Sequence, residues 1–220
     1  MADLHDVGIG ILVKRSRLVI YSLIAGLAVT VAFFLFEAAE ISGVWTFDEN
    51  AAFDSSLGVI YGITGLGHSL IYLITVIIFG MWIYRAAANI VSAGTAGFSY
   101  SPGWAVGWYF IPFANFFKPF QAMRQIWNAS HGATVHLDDN APTLTIWWTA
   151  WLIATISGNI SLRLTLKAVD ADQMMLATQI GAISSIASFV LYPVAIRLVR
   201  DITRAQVEYL QIETLGERFS

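Results

Sequence analysis

Residues 103–117, GWAVGWYFIPFANFF, are the stretch on which the architecture turns. The stretch is apolar, but its 15 residues fall short of the roughly 20 that a helix needs to cross the hydrocarbon core of a bilayer. Pro112 interrupts it, removing a backbone donor and crowding the preceding turn. The reading is a broken or re-entrant segment rather than a span, and the distribution of positive charge tests it.

Four other stretches are long and apolar enough to span: about 18–36, 57–84, 144–162 and 174–199. If 103–117 does not cross, Lys14, Arg15, Arg17, Arg85, Lys118, Arg124, Arg197, Arg200, Arg204 and Arg218 share one side, and only Arg163 and Lys167 face the other. If it crosses, the same twelve residues divide six and six. Basic residues concentrate on the cytoplasmic side of membrane proteins, which favours the ten-to-two arrangement and places both termini in the cytoplasm. The loop from Glu37 to Asp54 then lies outside and holds five acids, Glu37, Glu40, Asp48, Glu49 and Asp54, with no Lys or Arg. Lys14, Arg15 and Arg17 precede an apolar run of 19 residues, longer than the core of a signal peptide, so the first span is expected to be a retained anchor.

Composition agrees with a membrane fold. Hydrophobic residues make up 57% and charged residues 12% of the 220, against about 45–50% and about 25% in soluble domains. A single membrane domain over 1–220 is expected, because no hydrophilic stretch is long enough to fold separately. The net charge of −3 argues against nucleic acid as a partner. With no cysteine, disulfides, thiolate-held zinc and iron–sulfur clusters are excluded. Small residues recur at helical spacing at Ser22, Gly26 and Thr30, at Gly58 and Gly62, at Gly65 and Ser69, and at Ala177, Gly181, Ser185 and Ser188. Such faces let helices approach closely, inside one chain or across a homo-oligomer.

Around the broken segment, Ser101-Pro102-Gly103 is a turn signal. Trp104 and Trp108 stand four apart, as interfacial aromatics on one helical face do. Asn115 is placed to bond the backbone groups that Pro112 frees, and Lys118-Pro119 opens a new helix. In that helix Phe116, Phe120, Met123 and Trp127 form an apolar stripe, with Lys118, Gln121, Arg124 and Gln125 largely away from it. The pattern predicts an amphipathic helix lying in the cytoplasmic interface, within an element of about 101–131.

These residues resemble the bacterial membrane proteins grouped as domain of unknown function 4328. The resemblance rests on SPGWAVGWYFIPFANFFKPFQAMRQIW and on Trp82, Arg85 and Asn89 in WIYRAAAN just before it. Trp147-Trp148 and RLVRDITRAQ add to it, over roughly residues 57–210. It implies a multi-span protein of the bacterial inner membrane and no particular activity.

Ionisable groups within spans are costly and so are candidate functional groups. His68 sits near the middle of the second span, either as a neutral imidazole bonded to a neighbouring helix or as a haem ligand or proton relay. Arg85 and Asn89 are one turn apart at the cytoplasmic end of that span. They are expected to clamp the backbone freed around Pro112, with a ligand site as the other reading. Asn159 and Arg163 are likewise a turn apart in the third span, where Arg163 either faces the acidic outer loop or begins a substrate path. Catalytic residues are not expected, since there is no metal-ligand spacing, phosphate loop or nucleophile elbow. Nor is a haem or other cofactor, as a single intramembrane histidine supplies one axial ligand at most. The function expected is that of a non-catalytic accessory or scaffolding component binding lipid or a membrane-protein partner. A small oligomeric channel or transporter, and a quinone- or cofactor-binding redox subunit, are the alternatives.

Overall fold

The computed structural model describes residues 2–46, 55–95, 97–132 and 142–219. Among them every regular element is helical: α1 (Ala2–Ile41), α2 (Ser56–Ser92), α3 (Pro102–Gly107), α4 (Lys118–Ser130), α5 (Pro142–Thr165) and α6 (Ala171–Phe219). Long apolar runs take this form because lipid offers no partner for backbone N–H and C=O groups, which must then bond within the segment. Three helices are long and apolar enough to cross a membrane: Val7–Ile41, Ser56–Ser92 and Ala171–Glu208. α5 has 24 residues, about 36 Å at 1.5 Å per residue, but it is not among the three.

The helix ends follow from their sequences. Ser55 caps α2 by accepting from Gly58 N–H at 3.0 Å, and Asp170 caps α6 by accepting from Gln173 N–H at 2.8 Å. α1 and α2 both stop at a glycine of positive φ, Gly43 at 72° and Gly94 at 67°. In each case that glycine and the residue after it bond back to the last-turn carbonyls (Gly43 to Glu40, Val44 to Ala39; Gly94 to Val91, Thr95 to Ile90). A side chain would be strained there, so the helix halts where glycine stands.

α1 has 40 residues, about 60 Å, and begins well before the expected span of 18–36. It also runs through Glu37 and Glu40, so these two acids belong to a helix rather than to the outer loop. Asp48, Glu49 and Asp54, the remaining acids of that loop, lie outside the described residues, as does His136.

The chain divides into two compact units, one of residues 22–75 and 147–194, the other of residues 1–21, 76–146 and 195–220. Within the first, α5 and α6 are joined by hydroxyl-to-carbonyl bonds, Ser161 to Ala177 and Ser184 to Ala154, each 2.8 Å. Gly26 of α1 lies against the ring of Tyr192, where an added Cβ would come within 2.9 Å. The small residues singled out in the sequence thus serve packing inside the chain at Gly26 and Gly181, whereas Gly62 faces open space.

Within the other unit the core is Leu12, Trp82, Ile83, Ile90, Met123, Ile126, Leu198 and Ile202, all almost fully buried. Trp82 donates its indole N–H to Thr203 at 3.1 Å. α3 rests on α2, with Val106 3.3 Å from where a Cβ on Gly80 would sit.

Candidate functional site

The 101–131 element is broken in the way its prolines dictate. Ser101 accepts from Trp104 N–H and Pro102 occupies the first turn of α3, which lasts only six residues. A short 3-10 turn, Trp108–Phe110, follows. Ile111, before Pro112, is extended at φ −96° and ψ 118°, as a residue preceding proline must be. Phe113 then adopts φ 64° and ψ −44°, and Ala114 N–H bonds back to Pro112 C=O at 2.8 Å. This is a γ-turn of the rare, strained hand. A second 3-10 turn, Ala114–Phe116, leads into α4.

The backbone freed around Pro112 is satisfied by the turn itself. Asn115 contributes its backbone N–H to Ile111 C=O at 3.0 Å. Its side-chain oxygen, expected to fill that role, is buried with no hydrogen-bond partner among the described residues. The rings of Trp104 and Trp108 meet at 4.8 Å, tilted by 34°, and Lys118 places its ammonium 5.7 Å over the Trp108 ring. On α4, Gln121 accepts from Tyr100 O–H at 3.2 Å and Gln125 accepts from both the N–H and O–H of Ser99 at 3.0 Å. These glutamines fasten the chain leading into α3. Arg124 is half-buried.

The face of α4 that packs shares only Met123 with the stripe of Phe116, Phe120, Met123 and Trp127. Pro119, Ala122, Met123, Ile126, Ala129 and Ser130 are buried. Alanine and serine on that face let the helix approach its neighbours more closely than phenylalanine does, so the larger rings are left at its margin. The exposed apolar surface is displaced to the tip: Trp104, Phe110, Phe113, Phe116 and Phe117, with Phe110 70% and Phe113 82% exposed.

Arg85 and Asn89 are brought together, but their hydrogen bonds go to α6 rather than to the broken segment. Arg85 Nε donates to Asn89 Oδ1 at 2.8 Å, and Asn89 Nδ2 donates to Gln206 Oε1 at 3.1 Å. Gln206 Nε2 donates in turn to Ser130 Oγ at 3.0 Å and Ala86 C=O at 3.1 Å. Asn89 is 1% exposed, and Gln206 and Ser130 are fully buried. On α1, Gly8 closes this network: an added Cβ would collide with the Arg85 guanidinium and Asn89 Oδ1. One amide chain therefore ties α1, α2, α4 and α6. Gln206 was not a candidate from sequence. Its signal was a polar residue amid the apolar positions of a helical repeat, Leu198, Ile202 and Ala205.

Among residues 22–75 and 147–194, Glu37 and Glu40, expected in the outer loop, form a buried acidic pair. Glu37 and Glu40 are 4% and 6% exposed. Ser185 donates to Glu37 Oε2 at 2.6 Å, and Thr178 to Glu40 Oε2 at 3.0 Å. Gly181 lies between these hydroxyls, with Glu37 Oε1 2.7 Å from where its Cβ would stand. The hydroxyls neutralise in part what burial costs a carboxylate. His68 stacks on Phe33 at 5.4 Å, and Phe33 stacks on Tyr61 at 5.6 Å. Asn159 and Arg163 are exposed on α5, and Asn159 donates to Thr155 C=O of its own helix.

A family model described as a domain of unknown function (DUF4328) matches residues 47–204, well over half of the chain. No curated protein and no solved structure matches it. The matched range holds Arg85, Asn89 and the whole 101–131 element; Gly8, Arg15, Glu37 and Glu40 precede it and Gln206 follows it.

Proposed function

We propose, from the premise that this chain belongs to the DUF4328 family, that it is a non-catalytic component of the bacterial inner membrane that binds lipid through the tip of the 101–131 element. One observation carries the reading. The tip presents Phe110, Phe113, Phe116 and Phe117 outward on a strained turn, and strain of this kind is kept where a surface is used. Rings of this size exposed together mark a membrane or protein contact. Lys118, next in sequence and set over Trp108, supplies the cation that headgroups attract.

The chain has no native cysteine, so a nitroxide on Phe113→Cys is unique. In nanodiscs of phosphatidylethanolamine and phosphatidylglycerol, this label is expected to be accessible to oxygen and shielded from a water-soluble nickel complex. Nickel accessibility equal to that of a label at His131 would show that the tip stands in water.

The accompanying topology has four spans and cytoplasmic termini, with α5 as the additional span. α3, at six residues, reaches only about 9 Å, far short of about 30 Å of hydrocarbon. The ten Lys and Arg residues assigned to the cytoplasm all fall in the unit of residues 1–21, 76–146 and 195–220, and Arg163 and Lys167 fall in the other. Single cysteines at the exposed positions Val44, Val169 and His131 test this in intact cells with an impermeant thiol reagent. Labelling is expected at 44 and 169 only. Reaction at 131 would make 103–117 a crossing segment.

A channel or transporter is the second reading, and the buried Glu37 and Glu40 favour it, because intramembrane carboxylates commonly mark ion paths.

A further inference from the structure

Away from the aromatic tip, α1 and α2 run antiparallel within the unit of residues 1–21, 76–146 and 195–220. Gly8 abuts Arg85 and Asn89, while Arg15, two turns further along α1, donates Nη1 to the carbonyl of Met81 at 2.6 Å. Met81 is one turn before Arg85, so the guanidiniums of Arg15 and Arg85 are brought to neighbouring levels of the same helix pair, and each lies in the field of the other. The ion pairs of other arginines are local to α6, Arg197 with Asp201 and Arg204 with Glu208, and neither Arg15 nor Arg85 faces a carboxylate among the described residues.

A guanidinium carries five N–H donors in a planar fork. The protein engages Arg15 at one carbonyl and Arg85 at one amide oxygen. The remaining donors of these two half-buried cations meet no carboxylate among the described residues. Forked guanidiniums match the oxygens of phosphate better than any other common anion. The level fits as well: Arg15 lies three residues before the first apolar stretch and Arg85 immediately follows the second, which is headgroup depth for both. Leu18, Met81 and Tyr84 are exposed beside them, so the cations border an apolar surface, as an amphiphile requires.

We propose that Arg15 and Arg85 together form a binding site for a phosphate oxyanion, furnished by the headgroup of an anionic phospholipid in the cytoplasmic leaflet. The site is independent of the aromatic tip, and either can fail without the other.

The full-length protein, purified in a mild detergent, is incubated with phosphatidylglycerol or phosphatidylcholine and examined by native mass spectrometry. In parallel its melting is followed with inorganic phosphate. Arg15→Gln keeps a donor for Met81 C=O and leaves the Asn89 network untouched; Arg85→Gln is the second variant. Wild type is expected to retain phosphatidylglycerol over phosphatidylcholine, and each variant to hold it about tenfold more weakly or worse, by the loss of a charge-assisted bond. Stabilisation by inorganic phosphate that disappears in Arg15→Gln supports the site with a free phosphate as its source. Equal retention of both lipids by wild type and Arg15→Gln, with no effect of phosphate on either, overturns the proposal.

Discussion

Asn89→Leu is expected to lower the free energy of unfolding by about 2–4 kcal/mol. The change orphans Gln206 Oε1, whose residue is fully buried, at about 1–3 kcal/mol. It also removes the bond from Arg85 Nε; that guanidinium is half-exposed, so water replaces part of the loss and the lower part of the range for a charged donor applies. Thermal unfolding in detergent, followed by tryptophan fluorescence, reads the effect directly. The double variant Asn89→Leu/Gln206→Leu is the sharper measurement, because replacing both partners by apolar groups leaves fewer unpaired atoms than replacing one. It should cost less than the sum of the two single changes. Strict additivity would mean that the two amides do not act on each other and that the network does not hold α2 to α6.

Gly181→Leu should have the larger effect. The Cβ alone would stand 2.7 Å from Glu37 Oε1 and 3.0 Å from Ser161 Oγ, so α1 and α5 both crowd the same point on α6. Glu37 has no room to swing aside, being 4% exposed and bonded to Ser185. Gly181→Ala is expected to cost about 1–3 kcal/mol, the range for overpacking a filled interior. Leucine adds three further carbons and should abolish the cooperative melting transition. Glu37→Ala in the Gly181→Ala background removes the obstructing oxygen and should restore part of the loss. A leucine variant that melts like the wild type would show that the three helices do not meet at this residue.

Much of the candidate site was legible because it depends on local chemistry. The break at Pro112, the turn at Ser101-Pro102-Gly103, the restart at Lys118-Pro119 and the pairing of Arg85 with Asn89 each involve residues within about one turn of one another, where the geometry of the backbone decides the outcome. The buried face of α4 was not legible in the same way. A stripe of large apolar residues predicts the direction of burial when lipid or water is the only neighbour. Here the rest of the protein covers that face, α6 among it through Gln206 on Ser130, and Ala122, Ala129 and Ser130 admit their neighbours more closely than Phe116 and Phe120 can. The partner of Asn89 was also out of reach, being 117 residues away in sequence.

By itself the sequence determined the all-helical, membrane-spanning class, since apolar runs of this length satisfy their backbone groups in no other open form. It determined as well that 103–117 is no continuous helix, because proline lacks the donor that a helix requires at that position. Only the tertiary structure decided that Glu37 and Glu40 are buried beneath Ser185 and Thr178, and that Gly8, Asn89, Ser130 and Gln206 meet in one network. A carboxylate near the end of an apolar run reads as a loop residue, because burial is expensive for it alone. It becomes tolerable when hydroxyls from a helix some 140 residues away reach it. That compensation is a property of the helix packing, and no local pattern in the chain carries it.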